Sequence, residues 1–133
     1  MDATRREVVC VRAGNRCEYC RVRQQHVPYS RLQVEHIRPK KHGGGDTLAN
    51  LALACDRCNF SKGPNLSGVD PETSSIVVLF NPREQGWEDH FVHRGPLIEG
   101  RTPTGRATVV VLNMNEPHRV QLREELIRAG EFE

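Results

Sequence analysis

Four of the five cysteines in this chain fall in two C-x2-C pairs, Cys17 with Cys20 and Cys55 with Cys58, and 34 residues separate the pairs. No other feature restricts the fold so sharply. A tetrahedral metal takes four soft ligands at about 2.3 Å, and two tight turns of this kind present them with little strain. Closing such a site ties the start of the chain to residues near 58, and a gap longer than that of a zinc ribbon calls for something folded inside it. With four equivalent thiolates a bound Zn²⁺ keeps no open position, so its role is structural. A redox dithiol would use one such motif in a βαβ setting, not two. Cys10 is left over and reads as an inert, partly buried thiol.

Disulfides are disfavoured by the odd count and by the start "MDATRREVVC", which has no apolar stretch after its charges. No apolar run approaches the roughly 18 residues that span a bilayer. A cytoplasmic protein without membrane contact is the expectation. At 133 residues, 37% apolar and mean hydropathy −0.59, the chain holds one ordinary domain, or a small module with an appended subdomain and a modest core. Its charge is unevenly spread: residues 1–66 carry 12 Lys or Arg against 6 Asp or Glu, and residues 67–133 carry 7 against 11. A polyanion would meet the first half first.

Residues 3–13 fit a short helix that ends at Gly14. "RLQVEHI" alternates Leu32 and Val34 against Gln33 and Glu35 and reads as a strand; "ANLALAC" reads as its partner, with Leu51 and Leu53 on one face. The intervening "RPKKHGGGDTL" reads as a mobile basic loop. "DRCNFSK" begins with an Asp suited to an N-cap and stops at Gly63-Pro64, which fits a short helix. The order is strand, loop, strand, helix. "PNLSGVDPETSS" reads as a linker, after which "IVVLF" and "HFVHR" are strand candidates. Val109, Val110 and Val111 favour a strand by propensity, but Thr102-Pro103 is a cap followed by a first-turn proline, and Ala107, Val110, Val111 and Met114 follow helical spacing; a helix is expected. Asn115 is positioned to cap a last helix through about Ala129.

Between the cysteine pairs lie "EHIRP" at 35–39, three glycines at 43–45, Asn50, and the run Cys55-x-x-Cys58-Asn59-x-x-Lys62, with 14 positions from His36 to Asn50 and 9 from Asn50 to Asn59. From about Arg16 to Gly63 this resembles the HNH endonucleases, whose ββα-metal fold is a hairpin and a helix around one catalytic divalent cation. The resemblance implies that His36 is the general base, that Glu35 and Asn59 ligate the catalytic Mg²⁺ or Mn²⁺, and that Asn50 orients the loop that holds His36. Chemistry agrees with those roles, since imidazole accepts a proton near working pH and a hard cation completes a sparse oxygen shell with water and phosphate. Lys62, three residues after Asn59, is expected on the same helix face and near the same phosphate. Adjacent strand residues point to opposite faces, so the strand must end or twist for Glu35 and His36 to converge. The family's name records a final His where this chain has Asn59, which implies a loose cation site.

The sequence thus predicts an α+β chain: a ββα-metal hairpin and helix with a four-cysteine zinc site over residues 1–66, and a C-terminal α+β extension of strands and then two helices, packed on that core, over 67–133. Function follows as a metal-dependent DNA endonuclease that nicks one strand per site. The rival is a zinc-stabilised nucleic-acid or protein binding module without turnover. DNA contacts fall to Arg38, Lys40, Lys41 and Arg57, although the loop fits a purely solvated role equally well. A homodimer or a separate specificity partner would supply double-strand cutting or sequence choice. His90-x-x-His93 offers the spacing of a second metal pair, but strand geometry would splay the rings. Trp87 reads as core, and Arg119 and Arg123 as side chains snorkelling over one.

Overall fold

The computed structural model describes residues 2–132. They divide into two compact units: residues up to Leu66 together with Asn81–Glu84, and Ser67–Phe80 together with the residues from Gln85 onward.

The first unit starts with α1, Ala3–Ala13. Asp2 caps it by accepting from the Arg5 backbone N–H at 2.7 Å, and the chain turns away at Gly14. Val9 on its inner face is fully buried. The helix is also fixed through polar groups: Arg12 donates to the carbonyls of Leu48 and Leu51 at 3.0 and 2.6 Å, and Arg6 to that of Leu32 at 2.7 Å. Strands β1, Gln33–His36, and β2, Leu51–Ala54, pair antiparallel from Gln33 opposite Ala54 to His36 opposite Leu51. All four residues of β2 are buried, not only Leu51 and Leu53 as alternation implied. On its far side, β2 exchanges two hydrogen bonds of 2.8 Å with Glu18: the Glu18 N–H donates to the Leu53 carbonyl, and the Leu53 N–H to the Glu18 carboxylate. Helix α2, Asp56–Lys62, follows directly. Its cap is Cys55, whose sulfur accepts from the Cys58 N–H at 3.4 Å, so the capping role expected of Asp56 belongs to its neighbour. The segment 81–84 contributes Arg83, which forms an ion pair with Glu18 and donates to the Leu51 carbonyl at 3.2 Å.

The 37–50 connection is not the mobile loop that its glycines and lysines suggested. Two 3-10 turns, Lys40–His42 and Leu48–Asn50, shape it, and Asn50 staples it: the side chain accepts from the Arg38 N–H at 2.8 Å and donates to the carbonyls of Arg38 and Gly45 at 3.0 and 2.9 Å. Gly44 is required there, because a Cβ would lie 1.7 Å from the Arg38 carbonyl oxygen.

In the second unit the presumed linker is folded. It forms β3, Ser67–Val69, paired antiparallel with β4, Ile76–Val78. Asp70 organises the turn between them: it accepts from the Glu72 N–H and the Thr73 hydroxyl, and its two oxygens meet Arg106 at 2.8 and 2.9 Å. Helix α3, Trp87–His90, precedes β5, Phe91–Arg94, which pairs with β6, Leu97–Gly100. Helix α4, Pro103–Val111, forms despite its valines, with the Thr102 hydroxyl accepting from the Gly105 N–H at 3.0 Å and Pro103 in the first turn. A Cβ on Gly105 would lie 2.0 Å from the His90 carbonyl oxygen, so only glycine admits this close approach. Helix α5, Pro117–Arg128, is capped by Glu116, while Asn115, expected as the cap, bonds both backbone groups of Ile98. Arg119 and Arg123 do not snorkel. They are buried and donate to the carbonyls of Leu112, Asn113 and Met114, past the end of α4, and of Pro96 in the β5–β6 turn, at 2.6 to 3.0 Å. Trp87 stacks on His93 with ring centroids 4.9 Å apart. The fold is α+β throughout, and among the described residues no helix is long and apolar enough to cross a membrane.

Arg106, the largest influence, and the turn's donors hold the Asp70 carboxyl well below the usual carboxylate range. A depressed value stabilises the fold above the unfolded value, about 3.9, and that contribution is lost as pH falls through the folded value. The melting temperature of the second unit should therefore decline below about pH 4. Asp70→Asn should lower it at neutral pH and flatten this acid slope; an unchanged slope would remove Asp70 as its source.

Candidate metal centre and the hairpin histidine

Cys17 and Cys20 lie on the turn after α1, Cys55 at the end of β2 and Cys58 in the first turn of α2. The structure brings all four together, with every Sγ within 4.8 Å of the others and all four residues buried. Cys20 Sγ and Cys55 Sγ are 3.6 Å apart, close to the roughly 3.8 Å edge of a tetrahedron with 2.3 Å metal–sulfur bonds. Each pair also folds back on itself, with the Cys20 N–H 3.5 Å from Cys17 Sγ and the Cys58 N–H 3.4 Å from Cys55 Sγ. Burial pushes the Cys17 and Cys58 thiols well up, so thiolates there require a cation to offset their desolvation. The donor set fits a metal ion, and no position is open for a substrate.

His36 closes β1. Its Nε2 lies 2.6 Å from Asp46 Oδ1, and Lys40 Nζ stands 3.8 Å from the same oxygen. The hydrogen bond to His36, and then the charge of Lys40, hold the Asp46 carboxyl below its ordinary value. A carboxylate only accepts, so Nε2 carries the hydrogen, and in the neutral ring this leaves the lone pair on Nδ1. The imidazole is partly exposed, with 21% of its side-chain surface open. Asp46 was not among the residues singled out from the sequence; its one signal was an acid on the far side of the glycine turn.

Glu35 leaves the strand on the other face. The ladder is unbroken from Gln33 to His36, so the break or twist expected at this dipeptide is absent and the two side chains diverge. Glu35 is 6% exposed, contrary to its expected place on a polar face. One oxygen accepts from the Tyr19 hydroxyl; the other is 3.2 Å from Lys62 Nζ. Burial pushes this carboxyl up, opposed first by the charge of Lys62 and then by the Tyr19 bond. Lys62 is 2% exposed and also donates to the carbonyls of His36 and Ile37, so it does not present its ammonium to a phosphate. Asn59 donates its amide to Gln33 Oε1 at 2.7 Å. A cation held between Glu35 and Asn59 does not fit this arrangement, because Lys62 already compensates the Glu35 carboxylate.

Arg38, Lys40, Lys41 and Arg57 are placed on the loop and on α2, and all four are exposed. His90 and His93 do not pair: His90 Nδ1 meets the Thr102 hydroxyl at 2.7 Å, His93 stacks on Trp87, and the four cysteines are the one metal-capable group among the described residues.

Residues 17–65 match the family model described as HNH endonuclease. Neither the curated proteins nor the solved structures contained a match to the chain.

Proposed function

With residues 17–65 an HNH endonuclease domain, we propose that the chain hydrolyses DNA phosphodiester bonds using His36 as general base. The observation that carries this reading is the 2.6 Å pair between His36 Nε2 and Asp46. It leaves Nδ1 as the proton acceptor on a partly exposed ring, and holding an imidazole in one tautomer is what a general base requires. Nδ1 takes a proton from water as the water oxygen bonds to phosphorus. The bond to the 3′-oxygen breaks and that oxygen takes a proton from solvent water, leaving a 5′-phosphate and a 3′-hydroxyl, while the imidazolium returns its proton to solvent. Asn50 fixes the loop that carries Asp46 and thereby the ring. Arg38, Lys40, Lys41 and Arg57 are suited to neighbouring backbone phosphates, which position DNA without reading sequence.

A hard divalent cation, Mg²⁺ or Mn²⁺, supplies positive charge at the scissile phosphate in this chemistry. Lys62 closes Glu35 to that ion. The four-cysteine cluster is assigned Zn²⁺ and a structural role. One such site attacks one strand, so a monomer nicks, and cutting both strands takes a second copy or a second visit. The second reading, a zinc-stabilised binding module without turnover, is favoured by that same closure of Glu35.

Supercoiled plasmid incubated with Mg²⁺ or Mn²⁺ separates the two. The native protein should convert it to open circles, with ends that a ligase reseals directly, and a chelator should stop conversion. Asp46→Asn should lower kcat about 10- to 100-fold with KM unchanged, and Asp46→Glu should recover part of the loss. Binding without conversion by the native protein would leave the module reading in its place.

A further inference from the structure

Tyr19, Glu35 and Lys62 form a buried polar cluster that the reaction above does not use. The three N–H donors of the Lys62 ammonium meet three acceptors: Glu35 Oε2 at 3.2 Å, the His36 carbonyl at 3.2 Å and the Ile37 carbonyl at 2.9 Å. Tyr19, 1% exposed, donates to the remaining Glu35 oxygen. Both ends of the cluster are rooted in the metal centre. Tyr19 lies between Cys17 and Cys20, and Lys62 lies one turn along α2 from Cys58.

We propose that Glu35 is not a ligand of the catalytic cation but the hub of a buried lock, through which Lys62 and Tyr19 hold the main chain of His36 and Ile37 in register with the four-cysteine cluster. This rests on His36 being the general base. Two arguments carry it. A divalent ion at Glu35 would have to displace a compensating ammonium that is itself buried, leaving Lys62 charged and unpaired. The lock also grips His36 by its backbone, on the side where its ring does not point, while Asp46 grips the ring. Glu35, Lys62 and Tyr19 are therefore positioning residues; none touches the reacting atoms.

The test uses the full zinc-loaded chain and three readouts. Mn²⁺ binding, followed by the electron paramagnetic resonance signal of the free ion, should differ by less than about twofold between native protein and Glu35→Gln. A tenfold or greater weakening would make Glu35 a ligand and overturn the proposal. In melting, Lys62→Met should lower the transition by several degrees, and Glu35→Gln added to it should restore at least half the loss, because neighbours in one network are not additive. Additive losses would mean the two residues are not coupled, and the lock would fall. In plasmid nicking, Glu35→Gln and Tyr19→Phe should lower kcat with KM and the half-saturating Mn²⁺ concentration unchanged; a raised Mn²⁺ requirement would again overturn it. If native protein nicks nothing, the reading of His36 fails, and the binding and melting readouts still decide whether Glu35 is ligand or lock.

Discussion

Cys55→Ser should cost the first unit its fold. The four sulfurs gather within 4.8 Å of one another at the point where the turn after α1, the end of β2 and the start of α2 meet. Cys55 serves two ends at once: a candidate metal ligand and the sulfur cap of α2. Structural zinc binding at neutral pH amounts to about 10–16 kcal/mol, at least as large as the roughly 5–15 kcal/mol of net stability of a whole domain. Removing one ligand also leaves the other buried cysteines with no cation to offset them. The expected outcome is loss of stoichiometric zinc and of the cooperative melt of the first unit, reproduced in native protein by a strong chelator. The second unit has its own hydrogen bonds, among them Asp70 to Arg106, and should retain a separate transition. A Cys55→Ser variant that melts within a degree or two of native protein would show that the cluster does not hold the fold.

His36→Ala should remove turnover and leave the structure in place. A positioned general base contributes about 10²–10⁴-fold in rate, so nicking should fall by at least about a hundredfold. The His36 ring is partly exposed, and its side-chain hydrogen bond goes to Asp46, which is itself 46% exposed. The melting temperature should therefore shift by no more than a few degrees. Single-turnover conversion of supercoiled plasmid, with a melt of the same preparation, gives both numbers. The loss should exceed that of Asp46→Asn, which leaves a ring in place but unaligned. Equal conversion by native protein and His36→Ala would trace the activity to a contaminant and end the assignment of His36.

Local signals in the chain reached the structure wherever a few neighbouring residues decide the outcome. The spacing of the cysteine pairs brought four sulfurs together, and Thr102-Pro103 overrode three successive valines because a satisfied cap outweighs a weak strand propensity. The loop-holding role of Asn50 was legible only through the family resemblance, and its side chain does bond Arg38 and Gly45. What escaped was set by groups far apart in sequence. Alternation assigned Glu35 to a polar face, yet burial there is stabilised by Lys62, 27 residues on, and Tyr19, 16 residues back. Asp46 reaches His36 only because Asn50 folds the glycine turn over. The linker reading of 64–75 failed for the same reason: Asp70 looks like an ordinary turn residue until Arg106 arrives from α4. Helical spacing grouped Asn59 with Lys62, but the length of the Lys62 side chain carries its ammonium inward to main-chain carbonyls, which spacing does not register.

Arg83 gives the boundary near Leu66 a particular meaning. The polypeptide departs the first unit there and returns at 81–84 to place a guanidinium against Glu18, a residue 8% exposed that also pairs with the backbone of β2. A piece of the chain cut after residue 66 would thus keep all four clustered cysteines and His36 while stranding a desolvated acid beside β2. The first unit therefore includes Asn81–Glu84, and its boundary is crossed more than once by the chain.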